Sequence, residues 1–437
     1  MVGKNTWTMS TLEHALAGVI VRTLGNTTGA DLGPVCTDSR QVRQGSVFVA
    51  LKGERFDGHD YAAQAARDGA SVVVVERDTG ASCPQIIVRD TQEALGALAR
   101  AWRSQFAVPA ICVVGSNGKT TTTQMIASIL RSFVGESRVV ATEKNYNNHI
   151  GVPLTLLAMT RDVEFGIVEM GASACGEIAL LCSIAEPNYG IVTNIGRAHL
   201  EGFGGPEGVR RGKGELYDWL ARTGGRVFVP ANDPVLMSMA AERETLAAEC
   251  YPTTLADGVE HHLEGDYNRF NVAAAVAVGR YFGVDDERIR YAVGSYRPDN
   301  HRSQKIRTGQ NTLILDCYNA NPSSMQASLV NFRQEPLEGC TRKILILGDM
   351  LELGDWSDAE HRHIISLAAE IPDARILLVG PHFAKAYRSL ESRPADTTLY
   401  PSQEVLAAEL RKHPVSQALI LVKGSHSIGL ERLADLL

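Results

Sequence analysis

Short runs of β-branched and aliphatic residues alternate with longer helix-like stretches along most of this chain. Strands that alternate with helices build largely parallel sheets covered by helices, so the pattern predicts an α/β fold. A chain of 437 residues also exceeds the roughly 250 to 300 residues that one core supports, so we expect several domains. The runs are VFVAL (47–51), SVVVVE (71–76), AICVVG (110–115), GIVTN (190–194), TLILD (312–316), KILILG (343–348), RILLVG (375–380) and ALILVK (418–423).

Two polar stretches divide the chain into three predicted domains. One boundary lies near Arg89, before the helix-like TQEALGALARAW, and the other lies near Pro298 in SYRPDNHRSQ. The predicted domains are 1–89, 90–298 and 299–437.

Composition and charge limit the partners and the compartment. A net charge of −7 gives no broad basic surface, so we expect no nucleic-acid partner. The eight cysteines are scattered and form no C-x-x-C pair, which is typical of reduced thiols. The chain shows no signal-peptide pattern and no apolar run of about 18 residues, so we expect a cytoplasmic protein without membrane insertion.

A glycine turn between a strand and a helix predicts a nucleotide site. Lys119 opens the predicted helix, and Gly115 and Gly118 let its first N–H groups approach a polyphosphate. Lys119 adds positive charge, and the Thr120 hydroxyl can ligate Mg²⁺. We expect one apolar face on this helix, formed by Met125, Ile126, Ile129, Leu130 and Phe133.

The loop departs from the full phosphate-loop pattern in one respect. The spacing G-x-x-x-x-G-K-T needs glycine at Val113, whereas this chain has the shorter G-x-x-G-K-T. The alternative is a chance glycine turn that caps a helix. The strand before the loop and the helix after it favour ATP, without distinguishing a kinase, a motor ATPase or a ligase.

Further motifs carry a resemblance to a known family. Five motifs resemble, in content and order, the central domain of the Mur ligases: GSNGKTTT (115–122), NYNNHIGVPLTLL (145–157), VEMGAS (168–173), AHLEGFG (198–204) and KGELY (213–217). The segment 37–61, TDSRQVRQGSVFVALKGERFDGHDY, resembles their N-terminal domain. DCYNANPSSMQ (316–326) and LGDMLELG (347–354) resemble the C-terminal domain of the family member whose amine substrate is D-alanyl-D-alanine.

The resemblance implies a three-domain ligase. It predicts an N-terminal domain for the UDP-linked substrate, a central P-loop-type ATPase domain and a C-terminal Rossmann-like open sheet for the dipeptide. The implied reaction adds D-alanyl-D-alanine to UDP-N-acetylmuramoyl-tripeptide through an acyl phosphate, in cytoplasmic peptidoglycan precursor synthesis. We expect a monomer whose partners are these small molecules. The third residue of the tripeptide, diaminopimelate or lysine, leaves no signal in these motifs.

The resemblance also assigns roles to single residues. The implied catalytic residues are Lys119, Glu169, His199 and Lys213, and the implied ligands of two Mg²⁺ ions are Thr120, Glu169, His199 and a carbamylated Lys213. The residues alone leave other interpretations open. Glu169 could pair with a surface cation, and His199 could be an ordinary loop residue. Lys213 lies in the basic run VRRGKGE and could be a solvated lysine on a helix face.

The implied binding residues come from all three domains. ATP contacts are assigned to Gly115, Ser116, Asn117, Gly118, Lys119, Thr120, Thr121, Asn268, Asn271 and Asp316, the last beside the ribose. Substrate contacts are assigned to Ser39, Arg40 and Lys52 for UDP, to Asn147 and Asn148 for the sugar-peptide, and to Asn319, Asn321 and Lys423 on the amine side. TDSR could also be a capped turn, and Asn321 could merely cap the helix that Pro322 begins.

Two motifs depart from the family pattern, and rival functions remain. Tyr267 replaces a common histidine in GDYNRFN and could be a core residue. His426 and Ile428 replace arginine and methionine in LVKGSHSIGLE. The rivals are another Mur-type ligase, a folylpolyglutamate-type ligase, and a nucleotide-binding module without catalysis. The last would be expected to lack one of the four implied catalytic residues, and all four are present.

Overall fold

A computed structural model describes residues 7–25, 31–53, 55–263, 265, 267–297 and 304–437. The chain forms two compact units, one within 1–112, 134–170 and 179–189 and the other within 113–133, 171–178 and 190–437. The predicted α/β class is confirmed. Pro298 lies outside the described residues, and the three-domain division stays a prediction. No helix among the described residues is long and apolar enough to cross a membrane.

The N-terminal part of the chain builds a five-stranded sheet beside a two-stranded ribbon. Its strands are β1 (Trp7–Thr8), β2 (Ile20–Leu24), β3 (Asp31–Leu32), β4 (Val35–Cys36), β5 (Val47–Val49), β6 (Val72–Val75) and β7 (Gln85–Val88), and its helices are α1 (Met9–Leu16), α2 (Ala62–Arg67) and α3 (Thr91–Arg103). The order in the larger sheet is β2-β7-β6-β5-β4, with β2 antiparallel to β7 and the other neighbours parallel. Strand β1 pairs with β3 in the ribbon.

Helix α3 is held by polar groups at both ends. The Asp90 side chain caps its start. At its last turn, the buried Arg103 guanidinium donates to backbone carbonyls that include Ala185 O at 3.1 Å and Val108 O at 3.2 Å. These charge-assisted hydrogen bonds satisfy the buried cation without a carboxylate partner, and they fix the position of the helix.

The middle of the chain supplies a six-stranded sheet of order β13-β12-β11-β8-β10-β9. Its strands are β8 (Ala110–Val114), β9 (Val139–Ala141), β10 (Phe165–Glu169), β11 (Tyr189–Val192), β12 (Arg226–Pro230) and β13 (Ala247–Tyr251). Its helices are α4 (Lys119–Val134), α5 (Gly151–Leu157), α6 (Glu177–Ala185), α7 (Leu200–Phe203), α8 (Pro206–Thr223), α9 (Pro234–Ala241), α10 (Asn268–Tyr281) and α11 (Asp286–Ser295).

The predicted apolar stripe of α4 is confirmed except at its end. Met125, Ile126, Ile129 and Leu130 are fully buried, whereas Phe133 is 39% exposed. Phe133 lies in the last turn of α4, and the Arg288 guanidinium lies 5.9 Å from its ring centre. Phe133 therefore makes a cation–π contact at the exposed end of the helix instead of packing in the core as predicted.

The C-terminal part forms a second six-stranded sheet of order β14-β15-β19-β16-β17-β18, parallel except for β14. Its strands are β14 (Gln304–Arg307), β15 (Thr312–Asp316), β16 (Arg342–Gly348), β17 (Ala374–Val379), β18 (Thr397–Tyr400) and β19 (Ala418–Lys423), and its helices are α12 (Pro322–Gln334), α13 (Ser357–Ala369), α14 (Pro381–Arg388) and α15 (Gln403–Lys412). Strands β15 and β19 are paired from Thr312 to Asp316, so Asp316 and Lys423 are neighbours at their carboxyl ends. Ligands usually bind at this edge of an open α/β sheet.

Candidate active site

The predicted glycine turn lies between β8 and α4. Gly115 and Gly118 have φ angles of 149° and 80°, a region that residues with a side chain rarely adopt. A Cβ atom on Gly115 would lie 1.9 Å from the Thr193 hydroxyl. The loop therefore allows close approach to the N–H groups at the start of α4, as a polyphosphate requires.

Lys119 and Thr120 provide the charged and hydroxyl groups of this loop. Nζ of Lys119 donates to Gly115 O at 2.9 Å and lies 3.4 Å from Ser116 O. Thr121 follows, partly buried, in the first turn of α4. The buried Oγ1 of Thr120 has no hydrogen-bond partner among the described residues. An unpaired buried oxygen is uncommon in a native protein, and a bound cation would satisfy it.

Asn268 and Asn271 support the phosphate loop from the first turn of α10. Both are buried, and Nδ2 of Asn271 donates to Oδ1 of Asn268 at 2.8 Å. Oδ1 of Asn271 accepts from the Thr122 hydroxyl at 3.2 Å. A Cβ atom on Gly118 would lie 2.3 Å from the same oxygen. These amides therefore contact the phosphate loop itself. The sequence motif assigned them to ATP without predicting a contact with this loop.

Glu169 ends β10 in the first unit and is only 1% exposed. Its Oε1 accepts from Nδ2 of Asn147 at 2.7 Å, while its Oε2 has no partner in the part of the chain that the structure describes. Burial argues against the alternative of a surface ion pair. Asn148 has a different position, since its Oδ1 accepts from the Gly151 backbone N at 2.9 Å at the start of α5.

His199 lies directly before α7 in a left-handed conformation, with φ 53° and ψ 40°. Its Nδ1 contacts the Glu352 carboxylate. Burial lowers the pKa of His199 although Glu352 opposes the shift, and the ammonium groups of Lys213 and Lys119 lower it further. The side chain is therefore held as a largely neutral imidazole, the form that can ligate a metal.

Lys213 lies on α8 and is only 1% exposed, which rules out the solvated lysine suggested by its basic neighbours. Its Nζ donates to Ala172 O at 3.3 Å and lies 4.9 Å from the centre of the Phe203 ring. Burial lowers its pKa to about 7, and the charge of Lys119 contributes to the decrease. A large share of Lys213 side chains is therefore neutral near pH 7.

The carboxyl ends of β15 and β19 form an ion pair beside a cavity. The buried Lys423 pairs with Asp316 and also donates to Asn319 O at 3.3 Å. Asp316 and Tyr267 both line a small cavity. Tyr267 is half-buried and lines this cavity together with buried core residues. The remaining lining residues are Ile314, Ser328, Asn331, Phe332, Glu335 and Leu421.

Asn321 caps α12, as the simpler interpretation predicted, and it also contacts the phosphate loop. Its Oδ1 accepts from the Ser324 backbone N at 2.9 Å. Its Nδ2 donates to Oδ1 of Asn117 at 2.9 Å. The amine-side assignment did not foresee this contact.

The turn that carries His199 has a second set of contacts that the sequence did not reveal. The Arg197 backbone N donates to the Ser323 hydroxyl at 2.9 Å, and its guanidinium lies 2.6 Å from Oε1 of the buried Glu360. Of these partners, only Ser323 and Glu352 lie in motifs that the sequence singled out. Arg197 and Glu360 carried no signal.

The predicted UDP residues lie in the first unit. Arg40 is 86% exposed and forms an ion pair with Asp38 at 2.7 Å, while the Asp38 carboxylate accepts from the Arg40 backbone N. The hydrogen bonds from Arg40 lower the pKa of Asp38 to about 2. TDSR is therefore a capped turn, with Ser39 its first helical residue. Lys52 is exposed and pairs by its backbone with Asp57.

Metal binding has support from single atoms only. No group of three or more His, Cys, Asp or Glu side chains among residues 7–25, 31–53, 55–263, 265, 267–297 and 304–437 could hold an ion. Several buried oxygens have no partner among the described residues, and those of Thr120 and Glu169 belong to two of the predicted Mg²⁺ ligands.

Comparison with protein families matches most of the chain in three segments. Residues 34–103 match the family described as "Mur ligase family, catalytic domain", residues 113–251 the "Mur ligase middle domain", and residues 301–426 the "Mur ligase, glutamate ligase domain". The order of the segments agrees with the order of the motifs.

Individual relatives match over nearly the whole chain. The UDP-N-acetylmuramoyl-tripeptide--D-alanyl-D-alanine ligase of Bacillus subtilis is 33% identical over 91% of this chain and 92% of its own. A crystal structure of MurF from Acinetobacter baumannii superposes with a TM-score of 0.85 at 30% identity and covers 99% of both chains. A MurF ligase from Thermotoga maritima in complex with ADP gives a TM-score of 0.78 at 25% identity, over 92% of this chain and 96% of its own.

Proposed function

This chain belongs to the Mur ligase family, and we propose that it uses ATP to join D-alanyl-D-alanine to UDP-N-acetylmuramoyl-tripeptide. One structural observation carries the proposal beyond the relatives. The loop of the DCYNANP motif touches the phosphate loop through Asn321 and Asn117, so the predicted amine and ATP positions are adjacent in one unit. We place the reaction in cytoplasmic peptidoglycan precursor synthesis and expect a monomer.

Amide formation in water needs an activated carboxyl group. A carboxylate oxygen of the tripeptide attacks the γ-phosphorus of ATP, and the bond from that phosphorus to the bridging oxygen breaks to release ADP. The neutral amine of the dipeptide then attacks the acyl carbon, phosphate leaves, and the nitrogen loses a proton. N–H groups of the loop and the Lys119 ammonium stabilise the charge on the transferred group.

We propose that the chain binds two Mg²⁺ ions, which is supported by buried oxygens without a partner among the described residues. Thr120 and Glu169 each have one such buried oxygen, and His199 is held as a largely neutral imidazole. We propose that these residues, with a carbamylated Lys213, hold the ions, which would neutralise the triphosphate and the reacting carboxylate.

Lys213 is proposed to carry a carbamate made from CO₂. Carbamylation requires a neutral amine, and burial lowers the pKa of Lys213 to about 7. The product is an anion, so the modification would change a group that repels Mg²⁺ into one that can ligate it.

Adenosine is proposed to bind beside the cavity that Tyr267 and Asp316 line, with Asp316 next to the ribose. In this arrangement Asn268 and Asn271 act through the loop that they support. Asn319 and Lys423 would hold the dipeptide, with Lys423 fixed by its ion pair to Asp316.

The UDP end is proposed to bind Ser39 and Arg40, with Lys52 contributing to the diphosphate site, while Asn147 and Asn148 meet the sugar-peptide. The Arg40 fork suits phosphate oxygens and is exposed, although a ligand must compete with Asp38. Arg40→Ala should raise KM for the UDP substrate. An unchanged KM would mean that Arg40 does not bind the UDP substrate and that TDSR is only a capped turn.

A screen of amines separates this proposal from its rivals. Purified enzyme, ATP, Mg²⁺ and UDP-N-acetylmuramoyl-tripeptide are incubated with D-alanyl-D-alanine, glutamate, lysine or diaminopimelate, and the products are identified by mass spectrometry. We expect the dipeptide adduct alone. Extension by another amine would favour a different Mur-type ligase, and glutamate addition to a folate in a parallel reaction would favour a folylpolyglutamate-type activity. No product in either reaction would favour a non-catalytic module.

A further inference from the structure

Two asparagine amides join the phosphate loop to the start of α12. Nδ2 of Asn321 donates to Oδ1 of Asn117 at 2.9 Å, and Nδ2 of Asn117 lies 3.4 Å from Oδ1 of Asn321. The two residues are 204 positions apart in the chain. The contact is therefore a tertiary one between the predicted ATP and amine loops.

Both partners are fixed from their other sides. The Asn117 carbonyl accepts from the Thr193 hydroxyl at 2.6 Å and from Nδ2 of Asn194 at 3.0 Å. Oδ1 of Asn321 accepts from the Ser324 backbone N at 2.9 Å, and the side chain of Asn321 is buried. A hydrogen bond between two anchored groups transmits position, since neither end can relax freely.

We propose that Asn321 is a positioning residue that sets the distance between the phosphate loop and the amine loop through Asn117. The inference rests on the proposed function, because it assigns the loop at Asn319 to the dipeptide. Amine attack on an acyl phosphate requires reacting atoms about 3 to 3.5 Å apart, so a shift of the amine loop by a fraction of an ångström lowers kcat.

An amide suits this position because it is neutral and has both a donor and an acceptor. Oδ1 caps α12 while Nδ2 reaches Asn117, so one side chain serves both contacts. An aspartate would retain the cap but lose the donor and place a negative charge beside the polyphosphate. A serine would retain the cap and be too short to reach Asn117.

The capping role and the positioning role predict different results for Asn321→Ser. If Asn321 only caps α12, this variant keeps wild-type activity, since serine is a strong N-cap. If it positions the amine loop, the variant loses turnover although it stays folded, with its stability lowered by no more than about the 1 kcal/mol of one hydrogen bond.

A double-mutant cycle tests the pair in the full-length enzyme. Asn117→Ala, Asn321→Ser and the double variant are compared for kcat and for KM of ATP, UDP-N-acetylmuramoyl-tripeptide and D-alanyl-D-alanine. We expect each single change to lower kcat about fivefold, the equivalent of one neutral hydrogen bond, and Asn321→Ser to alter KM for ATP less than about twofold. The double variant should be no slower than the slower single variant.

Asn319→Ser combined with Asn117→Ala serves as the matched control, because Asn319 is on the same loop and its contact is through its carbonyl to Lys423. Its effect should multiply with that of Asn117→Ala. Multiplicative effects of Asn117→Ala and Asn321→Ser, unchanged kcat, or a change confined to KM for the dipeptide would each overturn the inference. If Asn321→Ser does not fold, Asn117→Ala and Asn117→Ser must still show the kcat loss. A wild-type enzyme that ligates no dipeptide would instead refute the proposed function.

Discussion

The state of Lys213 yields the most demanding prediction. Its ordinary pKa of 10.5 would leave about one amine in three thousand neutral at pH 7, whereas a pKa of about 7 leaves about half neutral. The burial of Lys213 should therefore increase the fraction able to react with CO₂ by about a thousandfold. We expect Lys213 to be carbamylated in bicarbonate-containing buffer at neutral pH, while solvated lysines are not.

The assay is ¹³C NMR of the protein in ¹³C-bicarbonate, with Lys213→Ala as the control. Wild type should show a carbamate signal that the variant lacks. Lys213→Ala should lose activity and recover part of it with acetate or formate but not with chloride, since only the former supply a carboxylate. A variant nearly as active as wild type, or a wild-type spectrum without the signal, would refute the reasoning.

The pH dependence of stability gives an independent readout in CO₂-free buffer. Because the pKa of Lys213 is lower in the folded protein than in the unfolded chain, the unfolded chain binds more protons between pH 7 and 10.5. The Lys213 contribution to the free energy of unfolding should therefore rise with pH across that window. Urea unfolding of wild type and Lys213→Met at both ends of the window measures this contribution by difference. An equal pH dependence in the two proteins would contradict the lowered pKa.

Three further changes test the loop and the fold. Lys119→Ala should lower kcat more than tenfold, a penalty above about 1.4 kcal/mol, and retention of more than a tenth would remove the lysine from the phosphate site. Gly118→Ala should weaken ADP binding in calorimetry because its Cβ would lie 2.3 Å from an amide oxygen, whereas Gly135→Ala, also at positive φ but with open space around it, should not. Arg103→Met should lower the free energy of unfolding by about 3 kcal/mol, because it removes several hydrogen bonds to backbone carbonyls. Arg100→Met removes an exposed ion pair and should lower it by less than about 1 kcal/mol. Equal losses in the two variants would contradict the role of burial.

Local signals predicted the framework well. The β-branched runs form strands, and the glycine turn at Gly115 lies between a strand and a helix. Both were predictable because residue periodicity and glycine conformation depend only on a few neighbouring residues. Pro322 and Asn321 began α12 as capping rules predict. These features need no information from distant parts of the chain.

Tertiary features were not predictable in the same way. Lys213 lies among basic residues, and only the packing of α8 shows that its ammonium is buried. Asn117 and Asn321 are 204 residues apart, so no local pattern could pair them. Phe133 matches the apolar periodicity of α4, but it lies at the end of the helix, which extends beyond the core. The periodicity alone does not show where the core ends.

Phosphate release measures the central claim directly. The enzyme is supplied with ATP, Mg²⁺ and UDP-N-acetylmuramoyl-tripeptide, and inorganic phosphate is followed with and without D-alanyl-D-alanine. We predict sustained release only when the dipeptide is present, with one phosphate formed for each dipeptide consumed. Equal release with and without the dipeptide, or none in either case, would contradict the assignment of this chain as a D-alanyl-D-alanine ligase.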